Sequence, residues 1–157
     1  MQDIIQNDES FMRLALDEAK LAFIEGEVPV GAIIARDGEV LARAHNKVEA
    51  LKQGTAHAEL LALQAASAKI GAWRLDECTM YVTKEPCPMC AGAMVNSRLK
   101  RLVYGCSDAV FGAAGSRINV MELPGYLHNV QCTKGILADE CLQLIRDFFR
   151  QRRASQK

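Results

Sequence analysis

The chain is predicted to adopt an α/β fold, a single mixed β-sheet with helices on both faces. Three observations carry that prediction. Segments of helical period alternate with short apolar, strand-like runs along the chain. The dipeptide Asp37-Gly38 lies between two such runs and favours a tight hairpin turn, which adds an antiparallel pair to the strands that helices connect. The length, 157 residues, fits one domain (1–157) and is enough to bury a majority of the unfolded chain's surface.

The first helix is predicted from Asp8 to Glu25, because Met12, Ala15, Leu16, Ala19, Ala22 and Phe23 share one face, and Gly26 offers a stop. Val30 to Arg36 and Glu39 to Ala44 flank the hairpin turn. Ala56 to Ile70 is apolar almost all round (Leu60, Leu61, Leu63, Ala65, Ala66, Ala68), the mark of a helix buried on most sides, and Gly71 ends it. Thr79 to Thr83 reads as a strand, Pro88 to Ser97 as a short helix, Arg101 to Gly105 as a strand and Asn129 to Thr133 as an edge strand. The last helix runs from Asp139 to Arg153, with Leu142, Ile145 and Phe149 on one stripe and Cys141, Leu144 and Phe148 beside it.

Composition narrows the function. Half of the residues are hydrophobic and 24% are charged, as in ordinary globular domains. No apolar run reaches the roughly 18 residues of a membrane span. The acidic, polar start MQDIIQNDES lacks the basic region and apolar core of a signal peptide, so a cytoplasmic protein is expected. A formal net charge of zero argues against a general nucleic-acid binder. It leaves room for local basic patches: Arg146, Arg150, Arg152, Arg153 and Lys157 crowd the C-terminus, and Arg98, Lys100 and Arg101 form a second group. The six cysteines fit free, mostly buried thiols in a reducing compartment better than a disulfide framework.

The exception is Cys87-Pro88-Met89-Cys90. Proline is favoured at the first helical position, so Pro88 marks a helix start, with Cys87 as the N-cap and both sulfurs at the positive end of the helix, where thiolates are stabilised. About thirty residues upstream, at another predicted helix start, stands His57-Ala58-Glu59. Two thiolates and one imidazole are three protein ligands, and a tetrahedral zinc then keeps one position open for water. A second CxxC, which would suggest a closed structural site, is absent from the sequence. Glu59 is not placed as a capping glutamate: with Thr55 as N-cap, the capping-box position is Ala58. A carboxylate on the most apolar helix of the chain suits acid–base work on the activated water. Because residues two apart do not share a helix face, His57 and Glu59 must straddle the helix start or bracket the metal from two sides.

His-x-Glu followed by Pro-Cys-x-x-Cys is the signature of zinc nucleobase deaminases. The resemblance extends along nearly the whole chain, and the sequence is similar to the tRNA-specific adenosine deaminases. It is carried by Glu27-Val28-Pro29-Val30-Gly31-Ala32, Thr55 to Glu59, Glu85 to Met94, Gly112 to Ser116, and Gly135 to Cys141 leading into Phe148-Phe149-Arg150. The resemblance implies a three-layer α/β/α cytidine deaminase-like fold with a mixed five-stranded sheet and one zinc per chain. It also implies a homodimer, no organic cofactor, and conversion of the wobble adenosine in a tRNA anticodon stem-loop to inosine with release of ammonia. Glu59 would shuttle protons between the attacking water, the ring and the leaving amine.

By the same resemblance Asn46 matches a residue that hydrogen-bonds the base, and Asp108 a loop position near the RNA. Taken alone they read as a turn asparagine and a loop aspartate. Phe148 and Phe149 would wall the pocket or, for at least one, join the core, and the C-terminal arginines suit phosphate contacts. The chain departs from the family pattern at Lys84, where an aliphatic residue is common, and at Leu127 and Asn129, which flank His128 where Asn and Arg are usual. The alternatives are a zinc deaminase of a free nucleobase or nucleoside (guanine or cytosine), a zinc-stabilised binding module, and a thiol oxidoreductase using Cys87 and Cys90.

Overall fold

A computed structural model describes residues 2–156, with side chains from residue 7 onward; Met1 and Lys157, the last member of the C-terminal basic group, lie outside the described residues. In chain order the elements are α1 (Gln2–Ile24), β1 (Gly31–Arg36), β2 (Glu39–His45), α2 (Val48–Leu51), α3 (Ala58–Ile70), β3 (Thr79–Lys84), α4 (Pro88–Asn96), β4 (Arg101–Cys106), β5 (Gln131–Lys134) and α5 (Ala138–Ser155). The sheet order is β2-β1-β3-β4-β5. β1 is antiparallel to both neighbours, and β3, β4 and β5 are parallel. The predicted mixed sheet is therefore present.

Alternation along the strands builds two cores. Ala32, Ile34, Met80, Val82, Leu102 and Tyr104 point to the face covered by α3 and α4. Ile33, Ala35, Tyr81 and Val103 point to the face covered by α1 and α5, where Met12, Ala15, Leu16, Cys141 and Ile145 meet them. α1 lies directly on β1: a Cβ on Gly31 would stand 2.0 Å from the Ala15 carbonyl oxygen and 2.5 Å from the Ala19 nitrogen.

Turn chemistry falls where expected. Asp37 (φ 51°) and Gly38 (φ 78°) both take positive φ, as a type I′ hairpin needs, and Gly71 (φ 72°) closes α3. Most element ends differ from the prediction by a residue or two, and four differences matter. α1 starts at Gln2, not Asp8, since the helix outruns the apolar stripe that marks it. α2 went unpredicted, because four residues carry no period. α3 starts after His57, so its N-cap is His57 and not Thr55. β5 is shifted to Gln131–Lys134. α3 is also less enclosed than its composition suggests: Leu60 and Leu61 are half-buried, and Ala65 and Ala68 exposed.

Because β2, β3 and β4 run the same way, they release the chain at the same edge of the sheet. In open α/β sheets ligands bind at that edge. Asn46, Glu85 and Asp108 follow these strand ends, Lys84 is the last residue of β3, and the N-termini of α3 and α4 open beside them.

Candidate active site

Two helix starts face each other at this edge. His57 is the N-cap of α3 and Cys87 the N-cap of α4, with Pro88 in the first turn as predicted. His57 Nδ1 stands 3.6 Å from Cys87 Sγ and 3.5 Å from Cys90 Sγ. All three donor atoms lie within 4.8 Å of one another. In a tetrahedral site with Zn–S of about 2.3 Å and Zn–N of about 2.0 Å, the edge between nitrogen and sulfur is about 3.5 Å. The two observed separations match that edge, and one imidazole with two sulfurs is a donor set suited to zinc.

The three groups are electrostatically coupled. The Cys90 thiol beside it, then the His57 ring, pull Cys87 down to about 4, whereas the Cys90 thiol is pushed far up by the Cys87 sulfur and by burial. The hydrogen bond to Cys87 raises His57. Both sulfurs and the imidazole would have to shed their protons to bind a metal, so ligation here would depend on pH.

Glu59 sits at the second position of α3, one turn edge away from His57, so the two straddle the helix start as the spacing requires. It is 4% exposed. Burial is the main cause that raises its carboxyl to about 6, partly offset by the backbone and the neighbouring His57. With His57 as N-cap, the capping-box position would be Leu60, so Glu59 again has no capping role there.

These residues open into a cavity of about 580 Å³, within the range of small-molecule and cofactor sites. Asn46, Asp108 and Phe149 line it too, together with Phe148, Phe111, Lys84 and Arg152. Asn46 is buried, and its Oδ1 accepts the Ala58 N–H at 2.8 Å, which satisfies an orphan donor at the start of α3. That leaves its –NH₂ as the group it can offer a ligand. Of the two phenylalanines, Phe148 is core and wall at once, while Phe149 is 41% exposed. Arg152 lies over the Phe148 ring and donates to the Gly26 carbonyl.

Two carboxylates that the sequence reading passed over build the mouth. Glu27, 2% exposed, accepts the Glu49 and Ala50 N–H groups, each at 2.9 Å, and so fixes α2 beside the cavity. Glu85, 3% exposed, accepts the N–H groups of Asp108, Ala114 and Ser116 as well as the Ser116 hydroxyl. It holds the loop after β4 from within. A Cβ on Gly112 would meet the Asp108 carbonyl oxygen at 2.3 Å and the Glu85 carboxyl at 2.5 Å, so a side chain there would force the loop to shift. Glu27 and Glu85 lie within the stretches that carried the resemblance; nothing else in the sequence distinguishes them from surface acids.

Asp108 Oδ1 accepts the Val110 and Phe111 N–H groups, and Oδ2 pairs with Lys84 Nζ at 3.0 Å. Burial alone would raise the Asp108 carboxyl; the Phe111 and Val110 N–H groups and Lys84 together bring it below the ordinary range. The second basic group of the sequence dissolves in three dimensions. Arg101 turns inward to Asp8, Lys100 pairs with Glu77, and Arg98 lies near the Trp73 ring.

Comparison with known proteins places this geometry. The chain is 43% identical over 150 residues to the tRNA-specific adenosine deaminase of Bacillus subtilis, covering 96% of this chain and 93% of that one. It belongs to the tRNA-specific adenosine deaminase family. The MafB19-like deaminase family matches residues 6–153. Among solved structures, one from a study of A-to-I editing by tRNA:A34 deaminases at the wobble position superposes with a TM-score of 0.83 at 38% identity, covering 86% of this chain and 98% of the other. The guanine deaminase of Nitrosomonas europaea shares the fold at 26% identity and a TM-score of 0.78, covering 89% of this chain and 83% of its own. The predicted three-layer deaminase fold and family are both borne out.

Proposed function

We propose that this member of the family deaminates the wobble adenosine of a tRNA anticodon loop to inosine, with one zinc ion held by His57, Cys87 and Cys90. The observation that carries the proposal is the pair of nitrogen–sulfur separations of 3.5 and 3.6 Å beside a buried glutamate. Zinc, when bound, supplies a Lewis acid that makes water a nucleophile near neutral pH.

The chain's own residues supply the rest. Water adds to C6 of adenine and ammonia leaves, which requires a proton to be taken from the water and protons to be delivered to N1 and to the leaving amine. Glu59 is the acid–base group in reach of the metal cluster. Asn46 holds the base through its amide. Phe148 and Phe149 form an apolar wall on the side of α5. The base must leave its stack to enter, so an anticodon loop with splayed bases suits this cavity. No organic cofactor is needed.

We also propose a homodimer. Val110, Phe111 and Ile118 on the loop after β4 are exposed, and apolar residues clustered on a surface loop suit a protein interface. The protein would act in the cytoplasm; among the described residues, no helix is long and apolar enough to cross a membrane.

The test is an inosine assay on an anticodon stem-loop with wild type and Glu59→Ala. Wild type should form inosine and the variant should not. Deamination of free guanine or cytosine with the stem-loop untouched would overturn the substrate assignment. Elemental analysis should find about one zinc per chain, as a single three-ligand site predicts, and activity without metal would remove the mechanism.

A further inference from the structure

The cavity lining is richer in acids than a site for a polyanion should be. Glu27, Glu49, Glu59, Glu85 and Asp108 line it, against the cationic side chains of Lys84 and Arg152 and the imidazole of His57. Three of these carboxylates are spent on backbone. Glu27 holds α2, Glu85 holds the loop after β4, and Asp108 holds the Val110-Phe111 turn. Arg152 is likewise engaged, on the Gly26 carbonyl and the Phe148 ring.

Lys84 differs. It ends β3, one residue before Glu85, and its side chain is 30% exposed. Its ion-pair partner is the Asp108 carboxylate, 3.0 Å away, which is itself anchored by two backbone N–H groups. An ammonium carries three donors, so a rigid partner on one side directs the charge without exhausting it. Lys84 lines the same cavity as Asn46 and Glu59, so its ammonium is placed to meet an anionic group on a ligand that fills it.

We propose that Lys84 is a phosphate anchor: its ammonium, positioned by Asp108, contacts a phosphate next to the nucleotide whose base enters the cavity. This rests on the RNA substrate proposed above and adds a binding residue at the end of β3. The contact contributes affinity and not chemistry, so it acts on KM and on salt dependence.

The experiment is binding of a fluorescent anticodon stem-loop to the zinc-loaded protein across a series of KCl concentrations, with inosine formation measured in parallel. Lys84→Leu should weaken binding about tenfold at low salt, the scale of one hydrogen bond to a charged group. It should also make the dependence of log Kd on log salt shallower by ~0.7, the release of one counterion from a single strand. Turnover at saturating stem-loop should be unchanged, Lys84→Arg should keep both affinity and slope, and Asp108→Asn should keep the slope. Lys84→Leu with wild-type Kd and slope overturns the proposal. So does a slope kept while turnover falls in both Lys84→Leu and Asp108→Asn, which is the pattern of a residue that only holds the loop. If the wild type makes inosine and Lys84→Leu matches it at every salt concentration, the anchor falls and the substrate reading stands; if the wild type neither binds nor deaminates the stem-loop, both fall.

Discussion

Two of the polar clusters that the molecule buries lie on opposite faces of its sheet, and they are built on opposite principles. Under α1, Asp8 is 3% exposed and meets Arg101 through two bonds of 2.9 and 2.7 Å. Arg101 also donates to Thr133 Oγ1, and the Tyr81 hydroxyl donates to Asp8. Acid faces base and donor faces acceptor. Burial, then Asp8, pushes the Tyr81 phenol up to about 12, which keeps it a neutral donor. Under α3 and α4, by contrast, Glu59, two sulfurs and an imidazole crowd together with competing demands for protons. Buried polarity by itself does not mark a site. A matched set orders the fold, and a mismatched set needs a cation or a substrate to complete it.

The largest effect that separates the clusters should come from Glu59→Gln. Loss of the proton shuttle should lower inosine formation by about 10²–10⁴-fold. Thermal stability should hold or rise, since a buried carboxylate is replaced by an uncharged amide. Next comes Asp8→Asn, which strands the Arg101 guanidinium. With Arg101 still 22% exposed, the expected loss is at the lower end for breaking a buried pair, about 3 kcal/mol in urea unfolding, with turnover and zinc content of the folded protein intact. The comparison breaks if Glu59→Gln destabilises as much as Asp8→Asn, or if Asp8→Asn abolishes turnover in protein shown to be folded. Metal removal sharpens it further. Dialysis against a chelator should abolish turnover and lower the melting temperature by the lost binding energy. The stripped protein should still unfold cooperatively, because most members of both apolar cores are aliphatic and aromatic side chains that take no part in the ligand set.

Legibility from sequence follows the same division. The candidate metal site was readable because each half is local: Cys87-Pro88-Met89-Cys90 and His57-Ala58-Glu59 are each confined to one helix start, and helix-start chemistry constrains where the side chains point. The strands and main helices were readable from period and from Asp37-Gly38. The Asp8–Arg101 pair joins residues 93 apart in sequence, and no local pattern announces it. Arg101 therefore read as part of a surface basic group. Glu27 and Glu85 escaped for a related reason. Their acceptors are filled by backbone N–H groups at residues 22 to 31 positions away, so their task depends on loop geometry that composition does not encode. Lys84 was visible as a departure from the family pattern, but its partner Asp108 emerged only when β3 and β4 were paired side by side.

The smallest effect tests where the second cluster's support ends. Gly31, under α1, and Gly112, in the loop after β4, are both crowded. At Gly31 the obstacles are main-chain atoms of α1, which cannot move without shifting the helix off the sheet. At Gly112 they are the Asp108 carbonyl and the Glu85 carboxyl, and both belong to the mouth of the cavity. Gly112→Ala should therefore cost only about 1–2 kcal/mol, the lower range of overpacking, because the loop can swing outward. That swing moves Asp108 and Phe111, so KM for the stem-loop should rise while zinc content, fixed by α3 and α4, stays at wild-type level. Gly31→Ala should show the reverse, with stability lost and the KM of the folded fraction kept. Should Gly112→Ala unfold the protein as thoroughly as Gly31→Ala, the loop after β4 would belong to the cooperative core, and Glu85 would count with Asp8 as a residue of the fold and not of the site.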